Sequence, residues 1–254
     1  MSRALLDLAV SIAREAAALV QDRAARGVSV ADTKSSAVDV VTEADRATEE
    51  LVRRRLVEHR PDDAVLGEEG ASRPGTSGRT WVIDPVDGTY NFVQGLEWWC
   101  SAVALEVDGD PVLGAVHHPA SDTTYVGGVD VPATAGGVPL APLVDRPLAQ
   151  SCLSTYLHPP FVATPKAAAW ARVATRAATL RMLGSGTMDA MAIAGGRLHV
   201  TCQSSVPPWD WMPGAAIIRS VGGRTRHVEA AGRTWYVAGV PTAVEEVSAA
   251  LLDG

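Results

Sequence analysis

Five acidic residues at the ends of predicted elements carry the chemistry that can be read in this chain. Asp84 and Asp87 lie three residues apart in Asp84-Pro85-Val86-Asp87-Gly88-Thr89, directly after the apolar run Trp81-Val82-Ile83. Glu68 stands in Gly67-Glu68-Glu69-Gly70, Asp210 follows Trp209, and Asp45 closes Thr42-Glu43-Ala44-Asp45. Hard cations such as Mg2+ take oxygen ligands and keep waters or phosphate oxygens in the remaining positions. Gathered carboxylates would repel an anionic substrate and raise one another's pKa, so such a set makes chemical sense when cations neutralise it. Gly88 and Thr89 sit where N–H groups at a turn or helix start hold phosphate oxygens, and the Thr89 hydroxyl can orient a water. The chemistry that fits is attack of water on a phosphoryl group, assisted by metal. Each motif alone has a plainer reading. Asp-Pro-x-Asp-Gly-Thr is also a turn, Gly-Glu-Glu-Gly a solvated loop, and Trp209-Asp210 a helix N-cap beside a buried indole. Their joint presence favours a metal and phosphate site.

The elements that must position these residues follow from periodicity and turn chemistry. Ser2 is a plausible N-cap for a helix whose apolar face is Leu5, Leu8, Ile12, Leu19 and Val20, ending near Arg26-Gly27. A second helix begins close to Asp45 after a capping-box-like start and runs to His59-Arg60-Pro61. Strands are predicted at 63–66 and at the central 81–84 run, with a Gly/Ser/Pro-rich loop at 71–80 between them. Strands 101–107 and 111–116 flank Asp108-Gly109-Asp110 as a hairpin, and 123–126 adds another strand. Residues 127–147, rich in Gly, Pro and Ala, show no period and mark a subdomain boundary near 145. Beyond it strands at 151–155, 197–202 and 234–238 alternate with helices at 164–178, 187–194, 210–221 and 242–252. The expected fold class is α+β, with subdomains 1–145 and 146–254, the second supplying substrate contacts and Asp210.

Composition narrows the function. With 254 residues, 47% of them hydrophobic and 20% charged, the chain can bury a sizeable core. The net charge of −7 and the absence of a basic run argue against nucleic acid as a partner. Cys100, Cys152 and Cys202 form no C-x-x-C pair, which fits a reducing cytoplasm. No apolar run approaches the ~20 residues of a membrane helix. The six histidines show no H-E-x-x-H and no nucleophile elbow, so histidine-based hydrolysis is disfavoured. Trp98, Trp99 and Cys100 read as packing or a dimer contact, and Lys166 as part of a solvated helix face.

The separated motifs Val40-Val41-Thr42-Glu43-Ala44-Asp45, Gly67-Glu68-Glu69, Trp81 to Phe92, and Trp209-Asp210 with Gly222-Gly223 resemble the inositol monophosphatase family of metal-dependent sugar and polyol phosphatases. The resemblance spans nearly the whole chain. It implies a layered αβαβα sandwich and two or three Mg2+ ions, ligated by Glu68, Asp84, Asp87 and the Val86 carbonyl, with Asp210 completing a second site and Asp45 belonging to a weaker third. It also implies that Thr89 with Glu68 activates the attacking water, that the Gly88 and Thr89 amides bind phosphate, and that Lys34 lies near the metals. Gly184-Ser185-Gly186 matches the family's Gly-Ser element that meets the substrate, and many members are homodimers.

Departures concentrate in the substrate half. Gln203 stands where many inositol-cleaving members carry a Glu, and an amide cannot supply that charge. His117-His118-Pro119 stands where Tyr-Asn-Pro is frequent. The expected activity is hydrolysis of a small polyol phosphate, inositol 1-phosphate leading. Histidinol phosphate, a sugar bisphosphate, a phosphoadenosine phosphate or NADP(H) are alternatives, and a non-catalytic regulatory protein is the alternative of another class.

Overall fold

The computed structural model describes residues 2–26, 30–33 and 40–253, with backbone alone at 30–33 and 40–42. Lys34 lies outside the described residues. The first half runs α1 (Arg3–Ala25), β1 (Val30–Thr33), β2 (Val40–Thr42), α2 (Glu43–His59), β3 (Ala64–Gly67), β4 (Ser72–Arg73), β5 (Arg79–Asp87), α3 (Thr89–Val93), β6 (Cys100–Val107), β7 (Asp110–His118), β8 (Thr123–Gly128), β9 (Val131–Ala135) and β10 (Val138–Pro139). The second runs β11 (Cys152–Thr155), α4 (Pro165–Ala174), β12 (Thr179–Arg181), α5 (Gly186–Ala194), β13 (Val200–Ser204), α6 (Pro208–Ser220), β14 (Arg224–Ala230), β15 (Arg233–Gly239) and α7 (Pro241–Leu252).

Two large sheets form the frame. One has eight strands in the order β10-β9-β8-β7-β6-β5-β3-β4, the other five in the order β12-β11-β13-β15-β14, and β1 pairs with β2 separately. In the eight-stranded sheet β3 and β5 are parallel, so both deliver their C-terminal ends to one edge, while the remaining neighbours are antiparallel. Residues Trp81–Asp87 of β5 are all buried, the signature of a central strand covered on both faces. Asp108 and Gly109 both adopt positive φ, the twist a tight hairpin between β6 and β7 requires.

The cores define five layers. Leu5, Ile12 and Ala16 of α1 and Val52 and Leu56 of α2 pack on Ile83, Val103, Leu105 and Leu113 of the first sheet. The opposite face of that sheet, through Ala102, Val116 and Tyr125, meets Met191 and Ile193 of α5 and Ile217 and Ile218 of α6, which reach Tyr236 and Ala238 of the second sheet. Ala169 and Val173 of α4 and Val244 and Val247 of α7 cover the second sheet's outer face. This is an α+β fold with αβαβα layering. A Cβ on Gly114 would lie 2.2 Å from the Pro213 carbonyl oxygen, so glycine is what lets β7 and α6 approach this closely.

Several expectations need correction. Within residues 127–147, where no period was legible, β9 and β10 extend the first sheet as an edge hairpin. Pro132 and the glycines there masked any alternation. The strands β12 and β14 escaped notice as well. The first is three residues long, and the second buries only Val228 and exposes Arg224, Arg226, His227 and Glu229, so neither carries an apolar run. The helix expected to reach 178 stops at Ala174, the strand expected from 197 begins at Val200, and α2 and α6 start two residues earlier than expected. Lys166 is not on a solvated face: it is 5% exposed and its ammonium sits 4.3 Å from the Phe161 ring centroid. Trp99 is buried edge-on against Phe92 at 5.0 Å, a packing role.

Candidate active site

The edge where β3 and β5 end is where the acids collect. Between Asp84 and Asp87 the pairing of β5 with β6 shifts register, and this bulge re-aims the strand end. The Val86 N–H donates to Asp84 Oδ1 at 3.0 Å, and the Ser101 hydroxyl donates to the Pro85 carbonyl at 2.6 Å. Gly88 then turns the chain with φ of 94°, and a Cβ there would meet the Trp98 carbonyl oxygen at 3.1 Å. Only glycine fits that conformation without strain. It lets Thr89 open α3, and the Thr89 hydroxyl lies 2.9 Å from the Val86 carbonyl and 3.3 Å from Asp45 Oδ1. Asp45 itself is 1% exposed on α2.

Glu68 is carried by the turn after β3, and a second buried acid of α2 holds that turn. Glu49 is 3% exposed and accepts from the N–H groups of Glu69 at 2.7 Å and Ala71 at 2.6 Å. Burial raises the Glu49 pKa, the two amides oppose this, and the charges of Glu69 and Glu68 add to the rise. Sequence reasoning missed Glu49. Its spacing of four from Asp45 on α2, both on the buried face, was the available signal.

Asp87 joins the two halves. Its carboxylate accepts from the Thr187 N–H, and the Thr187 and Ser185 hydroxyls and the Gly186 N–H at the start of α5 lie close enough to favour its charge. Burial raises its pKa, and these donors act against it. The Ser185 hydroxyl also accepts from the Met188 N–H at 3.2 Å as the helix cap. Asn91 clamps the same junction by donating to Trp98 O at 2.8 Å and Leu183 O at 2.7 Å, a second role the sequence did not reveal. Beside it, a Cβ on Gly184 would meet the Asn91 side chain at 3.0 Å. A Cβ on Gly186 would lie 3.5 Å from the Gln203 amide nitrogen and 3.7 Å from the Asp210 carbonyl oxygen. Gly184, Ser185, Gly186, Gln203 and Asp210 are therefore neighbours of the β5 end.

Electrostatics single out Asp84. It is 1% exposed, and its pKa is raised well above the usual carboxylate range, first by burial and then by the charges of Glu68, Asp87 and Asp210. Burying one carboxylate among three others without a cation is unfavourable, and every side-chain donor in the group is a hard oxygen, the chemistry a divalent ion such as Mg2+ prefers. The residues thus fit a hard cation. Among the described residues no three Asp, Glu, His or Cys side chains are grouped closely enough to hold a metal ion as they stand.

The chain is similar in sequence and in fold to known proteins. The model of the inositol monophosphatase family matches residues 1–252. The chain is 33% identical to the inositol-1-monophosphatase SuhB of Mycobacterium tuberculosis over 97% of its own length and 93% of that protein's. It is also 33% identical to the histidinol-phosphatase of the same organism, over 76% and 75%. In fold it is similar to the extragenic suppressor protein suhB of Bartonella henselae, with a TM-score of 0.88 over 99% of each chain at 24% identity. The family is generally metal-dependent, and no described helix is long and apolar enough to cross a membrane. The chain belongs to the inositol monophosphatase family and is a phosphoric monoester hydrolase.

Proposed function

We propose that this phosphatase is Mg2+-dependent and hydrolyses a small polyol phosphate, with inositol 1-phosphate as the first substrate. The observation that carries the proposal is Asp84, buried among Glu68, Asp87 and Asp210. Glu68, Asp84, Asp87, Asp210 and the Val86 carbonyl would hold two Mg2+ ions, and Asp45 would serve a weaker third. Bound there, Mg2+ supplies charge neutralisation for the phosphoryl group and acidifies water. The chain's own groups do the rest. Because the Thr89 hydroxyl can donate to Val86 O or to Asp45, its lone pairs are left to accept from the attacking water, and Glu68 is the base for that water's proton. The Gly88 and Thr89 amides hold phosphate oxygens, while Gly184, Ser185, Gln203 and Asp210 meet the alcohol part of the substrate. The relative named inositol-1-monophosphatase supports inositol 1-phosphate.

Gln203 favours a second substrate. An amide beside Gly186 removes a charge from the alcohol side, and a relative at equal identity is a histidinol-phosphatase. We also read the chain as two subdomains, 1–145 and 146–254, working as a cytoplasmic homodimer. The free cysteines support the compartment and the family's habit supports the dimer.

The test is phosphate release from inositol 1-phosphate and histidinol phosphate side by side, with Mg2+ and after chelation, using Asp84→Asn as the blank. Metal-dependent release from either establishes the reaction and selects the substrate. Release that survives chelation, or that Asp84→Asn leaves intact, refutes the metal assignment.

A further inference from the structure

A cavity of about 580 Å3 opens where the start of α4 meets the β14–β15 turn and the residue that follows β13. Its lining includes Thr164, Lys166, Ser205, Ala231, Arg233 and Thr234. Lys166 is 5% exposed, and its ammonium and the Arg233 guanidinium both sit over the Phe161 ring, 4.3 and 4.8 Å from the centroid. Among the described residues no carboxylate or hydrogen-bond acceptor is set against the Lys166 ammonium. The Phe161 face is the contact made by that ammonium, and Lys166 lines the cavity. Arg233 donates to the Ser205 hydroxyl at 3.1 Å, which leaves most of its donor fork unused.

The backbone adds to the same field. The Thr164 hydroxyl donates to the Phe161 carbonyl at 2.7 Å and does not cap α4, so the positive end of that ten-residue helix stays uncapped by a side chain. Ser205 and Ala231 hold positive φ without being glycine, strain that persists where surrounding contacts enforce it. The acid among the lining residues' hydrogen-bond partners is Glu229, which is exposed and accepts from the Thr234 hydroxyl. Burial, and then the charge of Arg233, lowers the Lys166 pKa.

We propose that this pocket is a second oxyanion site, binding a phosphoryl group between Lys166, Arg233 and the start of α4, apart from the carboxylate cluster. Two cations with an uncapped helix start are the chemistry that recognises phosphate, and no metal is needed. The group could belong to free phosphate or to a second phosphoryl group on the substrate. Ser205 lies two residues beyond Gln203, just past the end of β13.

The experiment titrates the intact, chelator-treated protein with inorganic phosphate at constant ionic strength, following phosphorus NMR shifts or calorimetry. Without metal the carboxylates repel phosphate, so binding reports this pocket alone and needs no turnover. It can therefore fail or succeed independently of the proposed reaction. Saturable binding is expected, weakened about tenfold or more in Lys166→Met and in Arg233→Gln, and unchanged in Arg226→Gln, whose side chain pairs with Glu245. No saturable binding, or equal binding in folded Lys166→Met and Arg233→Gln, overturns the proposal. With metal restored, a raised KM of Lys166→Met for a bisphosphate but not a monophosphate ester assigns the pocket to the substrate's second group. Unchanged KM for both, alongside the lost phosphate binding, assigns it to a free anion.

Discussion

Asp63 and Asp84 stand at opposite ends of the parallel pair β3 and β5, both 1% exposed, yet their surroundings are opposite in kind. Asp63 accepts from Arg60 Nε at 2.7 Å, the Ser77 hydroxyl at 2.6 Å and Trp81 Nε1 at 2.9 Å. Burial pushes its pKa up, but these donors outweigh it and hold the carboxyl below its ordinary value. Asp84 has burial and three acidic neighbours acting together, and its pKa goes the other way. An acid with a full set of donors is a structural tie. An acid buried among acids is the kind that the proposed metal site would need a cation to neutralise.

The largest expected effect tests the second half of that contrast. Asp84→Asn should lower kcat by on the order of 10^3-fold or more, because it removes a metal charge worth several kcal/mol to the transition state. Its melting temperature in chelator should not fall, since the change relieves repulsion. A marked loss of stability would make Asp84 a structural residue like Asp63. Next, Asp63→Ala should cost about 3 kcal/mol in urea unfolding by stranding Arg60, Ser77 and Trp81, with turnover per folded molecule retained. The pH dependence follows from the lowered folded pKa. The stability Asp63 contributes is present above the ordinary value of 3.8 and is lost as pH falls through the folded value, so wild type and variant should converge on acidification. A gap that widened in acid would contradict the assignment.

A smaller effect should come from Glu49, which is buried like Asp63 but ties down the turn that carries Glu68. Glu49→Gln keeps one of two amide contacts, so kcat should fall about tenfold through a displaced Glu68, with KM little changed. A kcat equal to wild type would show that the turn holds Glu68 without it. The smallest effect is expected from Gln203→Glu, a shift of a few-fold in the kcat/KM ratio between inositol 1-phosphate and histidinol phosphate. An unchanged ratio would remove Gln203 from substrate contact.

How much of this was legible depended on how local its cause was. The cap at Ser2, the hairpin at Asp108-Gly109 and the acidic end of β5 rest on residues within a few positions of one another, and all were read from the chain. Charged edge strands such as β14 were missed because their pairing supplies the order that hydrophobic alternation lacks. Lys166 was misread for a related reason. A polar residue on a helix is assigned to solvent unless its cover is known, and here Phe161, five residues upstream, is joined over Lys166 by Arg233 from the remote strand β15.

The sequence by itself determined which carboxylates end strands or open helices, and so the kind of chemistry, because strand ends, turns and caps are governed by neighbours along the chain. Tertiary structure alone decided that Glu49 steadies the Glu68 turn across 20 residues, that Asn91 reaches Leu183 across 92, and that Asp87 receives the start of α5 across 100. Those contacts are hydrogen bonds between side chains and remote backbone. They leave no periodic trace in a sequence, and they form only after the layers have packed.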